Sequence, residues 1–427
     1  MKSTDSTSPP SAAETGASAP RPRLSARQTF AALRHRNYNL WFRGQIVSLM
    51  GTWMQQTAQG YLIFELTRSP AYLGYVGFAA GVPAWLFTLY GGVVADRVEK
   101  RKLLLATQTS MMLLAFILAA LVFSGLVQPW HILVLAFGLG IANAFDAPAR
   151  LAIVSEMVSR EDLTNAIALN ATMFNTGSAI GPAVAGLAYA LVGPAWCFTI
   201  NGLSFIAVIA ALLMMKVAPR ATPTRRGTAW AELLEGLRYI IAEPAIRTLM
   251  LLVATTALFG ISSSTLFPAW AVQILGGDAT TTGLLQSARG LGALISALLI
   301  ASLGRNNFKG RLLTIGSFVF PLLLLVFALI RWLPLALLVL LGTGMAVILI
   351  MNLANALVQM LAPDALRGRI MAIYSLTFFG LVPVGALWAG ASAEYFGEPS
   401  TVAIGAAISL AVAGLLWVFA PWLRRLE

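Results

Sequence analysis

Polar and charged side chains set inside long apolar runs are the residues of this chain whose types and spacing bear on chemistry. Gln45, Ser48, Thr52, Gln55 and Gln59 recur at three- and four-residue steps, which puts them on one face of a helix. Amides facing hydrocarbon are costly, so that face must meet protein or water. It is either the wall of an aqueous cavity or hydrogen-bonded glue between packed helices. Farther along, Asn352, Asn355 and Gln359 share a face, while Asn143, Thr255, Thr256 and the hydroxyl run 262–265 add polar groups to other runs. Arg289 lies roughly eight residues into its run, ~12 Å at 1.5 Å per residue, too deep to snorkel easily. Arg43 sits nearer an end, within reach of water. An intramembrane cation is a functional candidate; for Arg289 the alternative is a structural pair with Gln286 or a backbone carbonyl. Glu65, Asp146 and Glu394 all stand near the ends of runs, and no acid occupies the middle of one. A cavity with one or two arginines among amides suits an anionic or neutral polar solute.

Catalytic chemistry finds little support. There is no G-x-x-x-x-G-K-[ST] loop, no nucleophile elbow and no acid–base pair placed for catalysis. His35 and His131 are isolated, and the lone Cys197 excludes an internal disulfide and any cysteine-based metal site. No catalytic residue, metal or cofactor is therefore assigned.

The elements that must position these residues follow from composition. Of 427 residues, 58% are hydrophobic and 11% charged, where a soluble domain carries about a quarter charged. Crossing ~30 Å of hydrocarbon takes about 20 apolar residues. Twelve runs qualify, roughly 38–64, 73–95, 103–125, 130–149, 165–192, 196–216, 247–274, 282–303, 312–330, 333–359, 369–396 and 401–423. The ninth and tenth are split only by Arg331 and Trp332, the eleventh and twelfth by a short turn near Gly397. With both termini inside, the inner segments hold all of the 29 Lys and Arg except Arg43, Arg68, Arg289 and Arg331. That skew is a strong positive-inside signal, so the net charge of +12 reads as topology and not as a nucleic-acid partner. Residues 1–37 read as a disordered cytoplasmic tail, too polar near the start for a signal peptide. Segments 38–216 and 247–427 form two sets of six runs. Between them, linker 217–246 includes residues 230–241, whose apolar positions fall at helical spacing, as in an amphipathic helix on the inner membrane face.

Between the second and third runs the chain reads Gly91-Gly92-Val93-Val94-Ala95-Asp96-Arg97-Val98-Glu99-Lys100-Arg101-Lys102. Gly92 and Asp96 are four residues apart, so they share a helix face. Glycine admits a close neighbour, and an acid there meets that neighbour's positive N-terminus. The plainer alternative is a topology marker, which the basic residues alone would satisfy. The halves also resemble each other: a shift of 203 positions pairs Met157 with Met360, Leu163 with Leu366, Ile167 with Ile370 and Gly177 with Gly380, and Pro182 and Pro383 follow two residues out of step. Such a parallel six-run repeat is the architecture of the major facilitator superfamily, with binding at the midplane between halves.

The 91–102 motif resembles the loop 2–3 signature of that superfamily. The stretches 145–150, 160–163, 165–170, Gly181-Pro182 and 363–369 resemble the bacterial efflux branch that includes enterobactin exporters. The resemblance spans roughly residues 30–425. It implies an all-α integral membrane fold of twelve transmembrane helices in two six-helix bundles, whose first, fourth, seventh and tenth helices line the cavity. Gln45, Thr52, Gln55, Gln59, Arg289, Asn352 and Asn355 then become substrate-binding candidates. Gly92, Asp96, Arg97, Arg101, Asp146 and Arg369 become gate candidates, with the start of the eleventh helix, near Arg369, as the motif's partner. Asp146 is the remaining candidate for proton coupling; its alternative is an inner-gate strut paired with Arg150 or with the 97–102 cluster. The expected activity is secondary export of a small molecule, anionic or siderophore-like or a drug, across the bacterial cytoplasmic membrane. The expected partners are that solute and the lipid bilayer, with no nucleic acid, and the protein is expected to be a monomer. An importer or lipid flippase of the same fold is the alternative within transport. A receptor or scaffold is the alternative outside it, and would have a dry interior.

Overall fold

A computed structural model describes residues 30–215, 229–303 and 309–422; the side chains of residues 88, 89, 93, 95–97, 229–232 and 301–303 fall outside that description. The described residues form twelve long helices and a shorter linker helix. The first six are α1 (Arg36–Thr67), α2 (Pro70–Arg97), α3 (Lys100–Phe123), α4 (Pro129–Met157), α5 (Leu163–Val192) and α6 (Pro194–Met214). The linker helix is α7 (Ala229–Ala242). After it come α8 (Pro244–Thr255, continued by irregular turns to Ile274), α9 (Ala279–Leu303), α10 (Lys309–Leu329), α11 (Leu333–Leu361), α12 (Arg367–Phe396) and α13 (Glu398–Phe419). By length and composition, nine can cross a membrane: α3, α4, α6 and α8–α13. The other three, α1, α2 and α5, are 32, 28 and 30 residues long and pack in the same bundle.

Helix starts follow local chemistry. Pro70, Pro129, Pro194 and Pro244 stand at the first helical position, where the fixed φ suits the helix and the missing N–H costs nothing. The two halves break alike. The 30-residue α5 and α12 each end at a positive-φ glycine, Gly193 (φ 87°) and Gly397 (φ 78°), before the next helix begins at once. Both splits that the sequence left narrow, at 330–332 and at Gly397, are real.

Within the first half α1 packs on α5 and α6, α3 on α4 and α6, and α2 on α4. In the second, α9 and α10 pack on α11, and α10 on α13. The halves meet along two seams, α5 with α9 and α2 with α12. We call the end holding Lys100, Met157 and Arg367 the basic end, and the end holding Arg68, Gly193 and Gly397 the far end. Residues 1–29, the larger part of the expected tail, lie outside the described residues. Of its last residues, Ala31–Arg34 form a 3₁₀ turn. Asn165 Oδ1 accepts from the Ala32 N–H at 2.9 Å, and His35 is not isolated but lies 2.7 Å from Asp162.

Candidate functional site

Both seams close toward the far end. On one, Gly74 lies against the backbone of Ala386 and Gly390, Gly77 against the Ala386 side chain, and Gly81 against Pro383. A Cβ at Gly74 would stand 2.7 Å from the Ala386 carbonyl oxygen, so only glycine permits this approach. At the outermost turn the Glu394 carboxylate of α12 accepts from Ser69 Oγ at 2.6 Å and from the Ala71 N–H at 3.2 Å. It thus caps the start of α2, where the helix dipole favours an anion. On the other seam Gly186 and Gly283 bring α5 and α9 together beside Pro182. Ser287 Oγ of α9 accepts from the Ala183 N–H at 2.8 Å, one residue past that kink. Toward the basic end, nothing would meet a Cβ at Gly92. Asn143, Asn352 and Gln359 are exposed on α4 and α11. Exposed amides within such helices favour water over lipid. The close contacts between the halves thus lie toward the far end and these exposed amides toward the basic end.

Between these two regions one polar contact joins the halves and another ties α9 to α8. Thr57 Oγ1 of α1 donates to Gln286 Oε1 of α9 at 2.9 Å. One turn on, Arg289 Nη1 donates to the Ile261 carbonyl at 3.4 Å, so the backbone-carbonyl alternative describes its pairing and Gln286 is engaged elsewhere. That carbonyl lies where α8 departs from α-helical winding. The chain widens to a π turn at Thr256–Gly260, tightens to 3₁₀ at Ile261–Leu266, and widens again at Trp270–Ile274. The hydroxyls explain the break. Ser262, Ser263 and Ser264 donate to the carbonyls of Leu258, Gly260 and Ile261, competing with the helical ladder, and Pro268 has no N–H to give it. Mid-helix 3₁₀ and π turns commonly mark functional positions.

The amide stripe of α1 lies largely elsewhere. Gln55 Oε1 accepts from Asn201 Nδ2 of α6 at 2.6 Å, and Gln45, Ser48 and Gln59 are buried. Gln55 thus meets α6 in this structure, as a buried amide between helices needs a partner, whereas the buried Gln45 Oε1 has no hydrogen-bond partner among the described residues. Thr52 donates back to the Ser48 carbonyl. On α11, Asn352 is exposed, and Asn355 accepts from Gln359 Nε2 at 2.6 Å.

The gate candidates also separate. The side chains of Asp96 and Arg97 lie outside the described residues. Arg101 donates to the carbonyls of Leu212 and Leu213 at 2.7 and 2.8 Å. It therefore caps α6 within its own half in this structure; cations suit helix C-termini. Within the motif it is Gly91, against the Ala144 backbone of α4, that makes the close approach, and not Gly92. Arg369 pairs with Glu235 of the linker helix at 2.5 Å in this state. Asp146 is wholly buried. Its Oδ1 accepts from Thr107 Oγ1 at 2.9 Å and Gln108 Nε2 at 2.8 Å, and its Oδ2 faces Arg150 Nε at 3.2 Å. All of these contacts lie within the first half. Sequence reasoning missed the Glu394 cap and the Ser287 bridge: an acid near a helix end and a lone serine carry no signal of what faces them.

This two-half helical bundle is the fold of major facilitator transporters. A bacterial homologue of the human lysosomal transporter Spinster, solved inward-facing and unoccupied, matches with TM-score 0.67 at 14% identity over 93% of this chain and 97% of its own. The nucleoside transporter NupG matches with TM-score 0.69 at 15% identity over 90% and 98%. At the level of sequence, residues 27–425 match the transmembrane secretion effector model of the superfamily, and the chain belongs to that family. It is 25% identical to the staphyloferrin A transporter of Staphylococcus aureus (strain NCTC 8325 / PS 47), over 85% of this chain and 91% of that protein. It is also 25% identical to the multidrug efflux pump Tap of Mycolicibacterium fortuitum (86% and 91%) and 26% identical to the enterobactin exporter EntS of Shigella flexneri (80% and 81%). The chain is a multi-pass membrane transporter of efflux type and not an enzyme.

Proposed function

We propose that this protein exports a small anionic metabolite, siderophore-like or drug-like, across the bacterial cytoplasmic membrane. All twelve long helices span the bilayer in this reading, the basic end faces the cytoplasm with both termini, and the protein works as a monomer. The six-helix halves 38–216 and 247–427, joined by linker 217–246, rock about the midplane so that the cavity opens to one side and then the other. The single observation that carries the substrate class is Arg289, a cation deep in α9 whose only hydrogen bond among those described is a long one to a carbonyl. A solute carboxylate or other anion offers Arg289 a stronger, charge-assisted partner, and Asn352, exposed on the adjoining α11 of the same half, supplies a neutral polar contact. The names of the relatives, two siderophore transporters and a drug pump, support the same class.

Coupling to protons is part of this reading, and Asp146 is its candidate carboxylate. The latch at Asp96 is the proposed counterpart of the Glu394 cap: it holds the basic end shut when the far end opens. Comparing growth and accumulation between deletion and overexpression strains, across siderophores and drugs, tests the export reading. Greater intracellular retention of at least one anionic compound on deletion is expected. Identical retention of every compound in both strains would refute it.

A further inference from the structure

We propose that α7 is a docking surface for anionic phospholipid headgroups, and that lipid seated there acts on the basic end of α12. With successive residues 100° apart, α7 has three distinct sides. One side, Leu233, Gly236 and Ile240, is packed on the bundle. A Cβ at Gly236 would stand 2.9 Å from Ile373 and 3.2 Å from Arg369 Cβ, so α7 lies directly on α12. The adjacent side carries Leu234, Leu237 and Ile241, exposed by 38, 42 and 56%. On the third, Glu235 is taken by Arg369 at 2.5 Å, while Arg238 is exposed and has no carboxylate within ion-pair distance among the described residues.

The occupant follows from position. Pro244 starts a membrane-crossing helix two residues after α7 ends, so the apolar side of α7 stands where hydrocarbon meets headgroups. A helix with an apolar stripe edged by an exposed arginine is built for that layer, and an anionic surface attracts an adjacent arginine. Glu235 and Gly236 then transmit the seat of α7 to α12, which also forms the seam with α2. The same pair gives Arg369 a partner while the basic end is open. This inference needs only that the chain spans a bilayer, and is independent of which solute is carried.

Hydrogen–deuterium exchange on the full-length protein in nanodiscs tests it, comparing phosphatidylcholine alone with phosphatidylcholine plus phosphatidylglycerol. Exchange over residues 233–242 should slow by about fivefold when the anionic lipid is present, the pull expected on one basic residue. Residues 367–376 should slow with it. Arg238→Gln should abolish the lipid response without lowering the melting temperature, and Leu237→Ser should weaken protection in both lipids. Equal exchange in the two lipids, a full response retained in Arg238→Gln, or protection that follows the number of protein copies per disc instead of lipid charge would each overturn the proposal.

Discussion

Replacing Glu394 by alanine should loosen the closed far end. The carboxylate ties α12 to the first turn of α2 through Ser69 Oγ and the Ala71 N–H. A hydrogen bond to a charged group contributes about 1.5–3 kcal/mol when well buried, and an anion at a helix N-terminus adds about 0.3–1 kcal/mol. Glu394 is exposed, so solvent screening lowers the total to about 1–2 kcal/mol. That corresponds to a roughly 5- to 30-fold shift in a two-state ratio. Spin labels at Leu126→Cys and Trp332→Cys, positions each 65% exposed on opposite halves, would report the far-end separation by pulsed electron resonance. Cys197 is buried and should remain unlabelled. Glu394→Ala should populate a longer distance, and Ser69→Ala should do so to a smaller degree. If both distance distributions matched the parent's, the carboxylate cap would not hold the seam, and the glycine contacts alone would have to.

Other perturbations give separable outcomes. Gly283→Leu places a side chain on the Pro182 backbone and should drive the α5–α9 seam apart, read as increased cysteine labelling along α9 from the far side. Asp146→Asn should lower the melting temperature, since removing the charge weakens bonds contributing about 1.5–3 kcal/mol. If Asp146 is the strut, transport by the surviving protein should keep its dependence on a pH gradient; loss of that dependence in a stable variant would instead make Asp146 the proton carrier. Asp96→Asn should leave membrane insertion intact and favour the state open at the basic end. Unchanged transport together with unchanged cysteine accessibility at that end would remove the latch from the account.

Helices were legible because their causes are local. Apolar runs, flanking cations and prolines at the far-end turns mark where α3 or α6 must begin and end, and the two halves repeat those marks at Gly193 and Gly397. What faces each helix was not legible. Periodicity places Gln45, Thr52, Gln55 and Gln59 on one side of α1, but whether that side meets water or Asn201 depends on how α6 packs. The hydroxyl run 262–265 reads as cavity polarity, yet its serines bond to the backbone of α8 itself where its winding changes. Glu394 reads as a boundary acid until α2 is brought to it, because its partners lie more than three hundred residues away. Arg289 stands out in the sequence as a cation far from the ends of its run, but only the fold shows that the carbonyl it meets belongs to the irregular part of α8.

The most direct test of the central claim is transport by purified protein in liposomes, comparing the parent with Arg289→Gln on an anionic chelator and on a neutral solute of similar size. A charge-assisted contact of about 1.5–3 kcal/mol predicts a loss of roughly ten- to a hundred-fold in kcat/KM for the anion, with the neutral solute little affected. Equal rates for parent and variant on every anion transported would contradict the assignment of Arg289 and, with it, the proposed substrate class.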